Sequence, residues 1–358
     1  MEITINDRIR KRKVQFFDKF KLDLRHDSVA SSFAFAGYFN PDNLQQKEMY
    51  CVSHFHEVNV DHNQQRLLTG YAISEGFANS EQRDMAQIAG YSRPGFLNDC
   101  QIPAEAYPLQ CDGLSLKEIA SKFVEPFGVK VIVHKAVEDV MNESFSKTTA
   151  EAQQTVAAYL IELAQQKGVV VSHDVYGNLV FTKAATGSKP ILDFDITKKG
   201  AQSIPFTKMS LSFNGQGMHS HIKVIKQQSA NGGNAGESEI RNPYVPYVYR
   251  PHVSVQSSGT DNDTETAAKM ILAAELKNLK VMITTDSWQV NAKQIIIPNT
   301  NITVLNPEIY IYKKTKLFVE EVSYEGDSKA LTATLTCCLP EVYSLETPKY
   351  IFEGINQH

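Results

Sequence analysis

The hydrophobic pattern of this chain has period two in its first and last thirds and a helical period between them. Up to about residue 92 the short apolar runs alternate. Val14 to Leu24 places Phe16, Phe20, Leu22 and Leu24 on one side, and Ser32 to Phe39 places Phe33 and Phe35 together. Pro41-Asp-Asn43 breaks the pattern. Met49 to Val58, Arg66 to Ile73 and Asp84 to Tyr91 predict further strands, separated by polar turns. Short strands at such intervals predict a small β-barrel or sandwich over residues 1–92.

From about 93 to 185 the period changes. Ser115 with Glu118 three residues on predicts a capping box, in which each side chain satisfies an orphan N–H of the helix start. Leu116, Ile119, Ala120 and Phe123 then share a helix face that Pro126 and Gly128 end. Val129 to Val133 predicts a strand, and Glu138 to Lys147 a polar connector. Thr148 and Glu151 form a second capping-box candidate, ahead of a helix with Val156, Leu160, Leu163 and Ala164 inward. Gly168 supplies the left-handed stop. Val169 to Val171, the turn Asp174 to Asn178, and Leu179 to Phe181 predict a hairpin. This stretch predicts an α+β module, and it carries no nucleophile, phosphate loop or ligand cluster.

From 186 to 345 the pattern returns to β with one helix inserted. Strands are predicted at Phe206–Phe213, His219–Lys226, Lys280–Thr285, Ile302–Val304, Glu308–Tyr312, Lys316–Tyr324 and Ala330–Cys337. Asn214-Gly215 and Gly326-Asp327 are predicted turns, and residues 227–239 a polar loop. Tyr249 to Val255 reads as extended. Asp263 to Asn278 predicts a helix with Ala267, Met270, Ile271 and Ala274 inward. Residues 346–358 read as a tail. The expected class is α+β, mainly β.

Composition narrows the partners. A formal charge of −4 over 358 residues gives no general pull toward nucleic acid or an anionic membrane. No apolar run approaches the roughly 20 residues of a membrane span. MEITINDRIRKRK has no apolar stretch after its basic residues, which predicts no secretory signal. The five cysteines are scattered without metal-like spacing, so free thiols are expected.

Several residues could carry chemistry. His54, His56 and His62, with Glu57 and Asp61 nearby, are the best metal candidate, because His54 and His56 would share one face of a strand. The bland alternative is a solvated strand and turn. His219 and His221 alternate likewise but lack a neighbouring acid in sequence. Asp193 and Asp195 could pair as acid and base, or simply show charge to water at a strand edge. Cys100 and Cys111 could be nucleophiles but sit in no recognisable elbow. Cys337-Cys338 predicts one buried and one exposed thiol. Asn214-Gly-Gln-Gly217 lacks the strand–helix setting of a phosphate loop and reads as a hairpin turn. Arg8, Arg10, Lys11, Arg12 and Lys13 read as a solvated arm touching an acidic neighbour. Trp288 could anchor an interface or fill a core.

Taken in order, AGYSRPGFLNDCQIP (89–103), LSLKEIASKFVEPFGVKV (114–131), ELAQQKGVVVSHDVYGNLVFTKA (162–184), MSLSFNGQGMHSHIKV (209–224), VYRPHVSV (248–255) and LFVEEVSYEGDSKALTATLTCCLPEVYSL (317–345) resemble the baseplate hub proteins of contractile phage tails, the Mu-like tail protein family. The VgrG spike proteins of type VI secretion carry a related module. The resemblance runs from about residue 50 onward. It implies two tube-like β-barrel domains, over 1–92 and 186–345, with an α+β domain over 93–185 between them and a tail over 346–358. It implies a homotrimer joining a hexameric tail tube to a trimeric central spike, beside baseplate wedge and tape-measure proteins. The expected location is the particle baseplate, made and assembled in the bacterial cytoplasm, with no membrane insertion and no nucleic-acid specificity. It implies no enzymatic activity, cofactor or metal. A tail-associated cell-wall hydrolase using Asp193 and Asp195 or the histidine cluster is the alternative. A carbohydrate-binding β module, which would need exposed aromatics on one face, is a third reading.

Overall fold

Alternating side chains build the first sheet. The structure is a computed structural model that describes residues 2–6, 11–14, 17–81, 84–198, 204–227, 236–256, 263–291, 294–327 and 330–352. The chain divides into two units: Met1–Lys183 with Ser323–Thr332, and Ala184–Val322 with Ala333–His358.

In the first unit, β1 (Glu2–Asn6), β2 (Lys11–Lys13), β3 (Lys19–Arg25) and β4 (Ser32–Tyr38) precede the short helix α1 (Leu44–Met49). β5 (Glu57–His62), β6 (Gln65–Ala78) and β7 (Met85–Ser92) complete an antiparallel sheet of order β3-β4-β7-β6-β5-β1-β2. Phe20, Leu22 and Leu24 from β3 and Phe33 and Phe35 from β4 are buried, as their period-two spacing predicts. Phe16 lies outside the described residues. The strand expected over Met49–Val58 is instead the end of α1, a turn and the start of β5. Asn43 caps α1 by accepting from the N–H groups of Gln45 and Gln46, a local option that wins over extension here. Among the described residues the sheet stays open and does not close into a barrel, since its end strand β2 pairs with β1 and with no other strand.

The same unit continues through α2 (Phe96–Asp99), α3 (Leu116–Val124), β8 (Val131–Val133), α4 (Glu138–Asn142), α5 (Val156–Gln166), β9 (Val170–His173) and β10 (Leu179–Thr182). Ser115 accepts from the Glu118 N–H while the Glu118 carboxylate accepts from the Ser115 N–H, so the expected box is present. Leu116, Ile119, Ala120 and Phe123 are fully buried against Val156, Leu160 and Ala164 of α5. The second expected box is not formed. α5 begins at Val156 and its N-cap is Thr155, whose hydroxyl accepts from the Ala158 N–H. Thr148 is held elsewhere: its N–H donates to Asp112 Oδ1 at 2.8 Å and its hydroxyl meets the Tyr159 hydroxyl at 2.8 Å. The connector expected over 138–147 contains α4, which buries Met141. β10 pairs antiparallel with β9 and parallel with β8, so the hairpin gains a third strand whose paired residues lie 48 positions before those of β10.

The second unit contains β11 (Pro190–Asp195), β12 (Lys208–Phe213), β13 (His221–Lys226), β14 (Glu237–Arg241), β15 (Pro251–Gln256) and α6 (Thr264–Leu276). β16 (Leu279–Thr285), β17 (Gln289–Asn291), β18 (Gln294–Ile295), β19 (Thr300–Asn306), β20 (Ile311–Asp327), β21 (Leu331–Cys338) and α7 (Glu341–Ser344) follow. One sheet runs β12-β16-β21-β20, with β19 antiparallel to β20 and parallel to β11. Another has β13 at its centre, with β14 antiparallel and β15 parallel to it. α6 packs on β13 and β14 with Ala268, Leu272, Ala273 and Leu276 buried. The inward face is therefore rotated by about one residue from the expected Ala267, Met270, Ile271 and Ala274, which are half-buried or exposed. Both faces are apolar, so sequence periodicity alone does not choose between them.

Four further expectations change. β14 takes up Glu237–Glu239 from the predicted loop, whose residues 228–235 lie outside the described ones. Asn214 opens a 3₁₀ turn, and β12 and β13 join different sheets, so it is not a hairpin turn. The described part of the predicted tail packs: Ile351 is buried and the Lys349 carbonyl accepts from the Tyr244 hydroxyl at 2.7 Å. β20 runs through the predicted turn Gly326-Asp327 to Asp327, and Ser328 and Lys329 lie outside the described residues.

Candidate functional site

Two knots of side chains stand where the sequence motifs converge. The first follows β7. Tyr91 donates its hydroxyl to Asp99, and burial and that carboxylate together raise its pKa. Ser92 is fully buried and its hydroxyl accepts from the Ser31 N–H at 3.0 Å. Arg93 donates to Glu57 at 2.8 Å and lies 5.9 Å from the centre of the Tyr71 ring. Gly95 is pressed against the Tyr91 ring, where a Cβ would approach within 2.1 Å. Gly177, in the hairpin turn at φ +80°, abuts Arg93 Cβ and the Thr69 carbonyl. His173 adds a link that the sequence did not announce. Its Nδ1 lies 2.9 Å from the Ser28 carbonyl and its Nε2 2.8 Å from the Ser31 hydroxyl. Desolvation lowers its pKa, which favours the neutral ring. GYSR, its following DC and the YGN turn thus brace one hydrogen-bonded junction.

The second knot is in the second unit. Arg250 of the YRP segment donates to the carbonyls of Gly215 and Gln216, both at 2.7 Å. Its own N–H donates to the Ser220 hydroxyl at 2.7 Å. The FNGQG turn therefore offers carbonyl oxygens to a guanidinium rather than N–H groups to a phosphate. Beside it, His219 Nδ1 lies 2.6 Å from Glu275 Oε1, and the His219 N–H donates to Glu275 Oε2 at 2.9 Å. The His252 ring centre is 4.9 Å from that of His219. Sequence spacing missed this group because Glu275 comes from α6, 56 residues after His219.

The other candidates fare differently. His54 and His56 are not on a strand: Ser53 and Phe55 both have positive φ, which breaks extension. His54 is exposed with Nε2 3.5 Å from Cys51 Sγ, whereas His56 is buried with Nε2 3.2 Å from the Glu48 carbonyl. His62 ends β5, and Asp61 is held by Arg66 at 2.7 Å. Cys111 is buried, and desolvation raises its pKa, away from a reactive thiolate. Cys100 caps α2 through its N–H and is half-buried. Cys337 and Cys338 are both buried at the end of β21, so the exposed thiol expected of this pair is absent. Arg12 pairs with Glu48 and Lys13 with Glu2 at 2.9 Å, while Arg8 and Arg10 lie outside the described residues. Trp288 is 4% exposed, so it fills a core in this chain.

Asp193 accepts from Lys198 at 2.6 Å, Lys314 at 2.8 Å and Thr303. These bonds hold its carboxyl well below the usual carboxylate range, and the Thr197 hydroxyl lowers that of Asp195. Two carboxyls both pushed down do not divide into an acid and a base, since a general acid needs a raised value. The Asp193 shift has a sign: its stabilisation is present above the unfolded Asp value of about 3.9 and is lost as the pH falls through the lower folded value. Wild-type protein is therefore expected to lose more stability than Asp193→Asn between about pH 5 and pH 2, measured by urea unfolding at each pH. Equal losses would contradict the pairing.

Residues 94–183 match the family model described as baseplate hub protein gp44-like, second domain. The baseplate hub protein gp44 of Escherichia phage Mu is 25% identical over 275 residues, which span 71% of this chain and 68% of that protein. This chain is similar to the Mu-like baseplate hub proteins. The fold agrees over nearly the whole length with the 43 kDa tail protein of prophage MuSo2 from Shewanella oneidensis. The TM-score is 0.77 at 19% identity, covering 95% of this chain and 99% of that one. The chain also superposes on the Francisella PdpA–VgrG complex at a TM-score of 0.57 and 11% identity, covering 98% of this chain and 59% of that one. The segment matched to the hub family model contains the Ser115 box, the α3–α5 core and the Asp174 turn. What matches the hub domain is thus packing and turn chemistry.

Proposed function

We propose that this chain is the baseplate hub subunit of a contractile phage tail or a phage-like injection system. Three copies close into a ring, and each supplies two tube-like β-rich portions, over 1–92 and 186–345, separated by the α+β portion over 93–185. Three chains then offer six similar surfaces, which lets a trimeric spike meet a hexameric tail tube. The ring sits in the virion baseplate, beside wedge and tape-measure proteins, and its role is mechanical rather than enzymatic. The observation that carries this reading is the Mu hub relative over 71% of the chain, together with full-length fold likeness to a Mu-like prophage tail protein. The lowered carboxyls of Asp193 and Asp195 give the hydrolase reading no general acid.

Mass photometry at micromolar concentration tests the assembly. The expected species has three times the 40.0 kDa chain mass. Co-expression with a central spike protein from the same genome is expected to yield a co-purifying complex of three chains of each. A stable 40.0 kDa monomer that ignores the spike would overturn the proposal.

A further inference from the structure

The second unit brings three ligating side chains together from three separate elements. His219 stands just ahead of β13, His252 lies in β15 and Glu275 belongs to the last turn of α6. One ligand atom from each lies within 4.8 Å of the others. Among the described residues this is the one group of histidine, cysteine and acidic side chains so arranged. We propose that His219, His252 and Glu275 form a binding site for a single divalent transition-metal ion of the zinc class.

The donor set decides the class of ion. Two imidazoles and one carboxylate suit zinc and its neighbours in the first transition row, whereas calcium and magnesium favour all-oxygen sets. The setting supplies a second reason. The Glu275 side chain is only 8% exposed, and burying a carboxylate is costly unless donors or a cation face it. The groups that face it are the His219 N–H and ring, and the Asn242 amide at 3.5 Å. Asn242 is itself buried at 2% exposure, as a supporting group behind a metal ligand usually is. His219 and His252 are half-buried, which leaves a path for the ion and room for a water in the fourth position.

Zinc bonds of about 2.0–2.2 Å bring ligand atoms to roughly 3.5 Å from one another. His219 Nδ1 and Glu275 Oε1 stand 2.6 Å apart, so binding requires the His219 ring to turn away from that oxygen before both residues can share one ion. One ion then ties α6 to the start of β13 and to β15, which among the described residues pairs with β13 alone. Its effect is to clamp the three-stranded sheet to its helix.

The test is isothermal titration of the full-length, EDTA-treated chain with zinc chloride, repeated with cobalt for its tetrahedral absorption bands. One equivalent per chain is expected, with a rise in the thermal midpoint, since an ion that binds only the folded chain stabilises it. His252→Ala, at a half-buried strand position, is expected to weaken zinc on the order of 100-fold with an unchanged circular dichroism spectrum. Glu275→Gln is expected to lose the cobalt bands. His54→Ala removes the histidine beside Cys51 and is expected to titrate like the wild type. Absence of stoichiometric binding, or loss of binding in His54→Ala but not in His252→Ala, sinks the site. The measurement is independent of assembly, so it can fail while the trimer stands, and the reverse.

Discussion

Phe123→Ala is expected to destabilise the first unit by about 3–5 kcal/mol, the usual loss for emptying a fully buried aromatic position. Phe123 has no exposed surface and its ring lies 5.8 Å from that of Tyr159. It belongs to the cluster that also takes in Leu116, Ile119, Leu160 and Leu163, so the cavity is walled by two helices that cannot collapse onto it without losing their own contacts. Amide hydrogen exchange across residues 116–166 should show the loss directly. Trp288, the single tryptophan, lies in the second unit and reports on that unit by its fluorescence. A loss below about 1 kcal/mol would mean that the helices close over the gap, against the rigid packing argued here.

Gly90→Val should be at least as damaging to the first sheet. β6 and β7 cross closely around the pair Tyr71 and Tyr91, with a register shift between Ala72 and Ser74. A Cβ at Gly90 would come within 1.9 Å of the Tyr71 carbonyl oxygen, and one at Gly70 within 1.9 Å of the Tyr91 carbonyl oxygen. Both obstacles are backbone, so no rotamer change relieves them. Overpacking typically costs about 1–3 kcal/mol, and a backbone clash in a central pair belongs at or above the top of that range. Limited proteolysis should find new cuts in β6 and β7 in the variant. Wild-type resistance would show that the strands can part without harm.

What the sequence disclosed was whatever depends on neighbours in the chain. The Ser115 box joins residues three apart, and it is present as read. Thr148 and Glu151 have the same spacing and fail, because Asp112 takes the Thr148 N–H from 36 residues away. The alternation of His54 and His56 suggested a strand until Ser53 and Phe55 took positive φ. The class, mainly β with α+β character, followed from the change of period near residue 93. The parallel pairing of β11 with β19 did not, since no local pattern records a partner about 110 residues on. The same holds for His219, His252 and Glu275, which fold alone assembles.

The 17-residue strand β20 is divided between the units: Ile311–Val322 goes with the second and Ser323–Asp327 with the first, where Lys21 meets Glu325 at 3.3 Å. A gene fragment ending at Lys183 would therefore encode a first unit missing its neighbour for β3, with a bare strand margin ready to stick to other chains. Modular exchange between related particles, whether by natural recombination or by design, needs three crossovers within the gene to transplant that unit intact, after residues 183, 322 and 332. The hub gene is thus expected to be inherited as a block, even where the genes around it are shuffled freely.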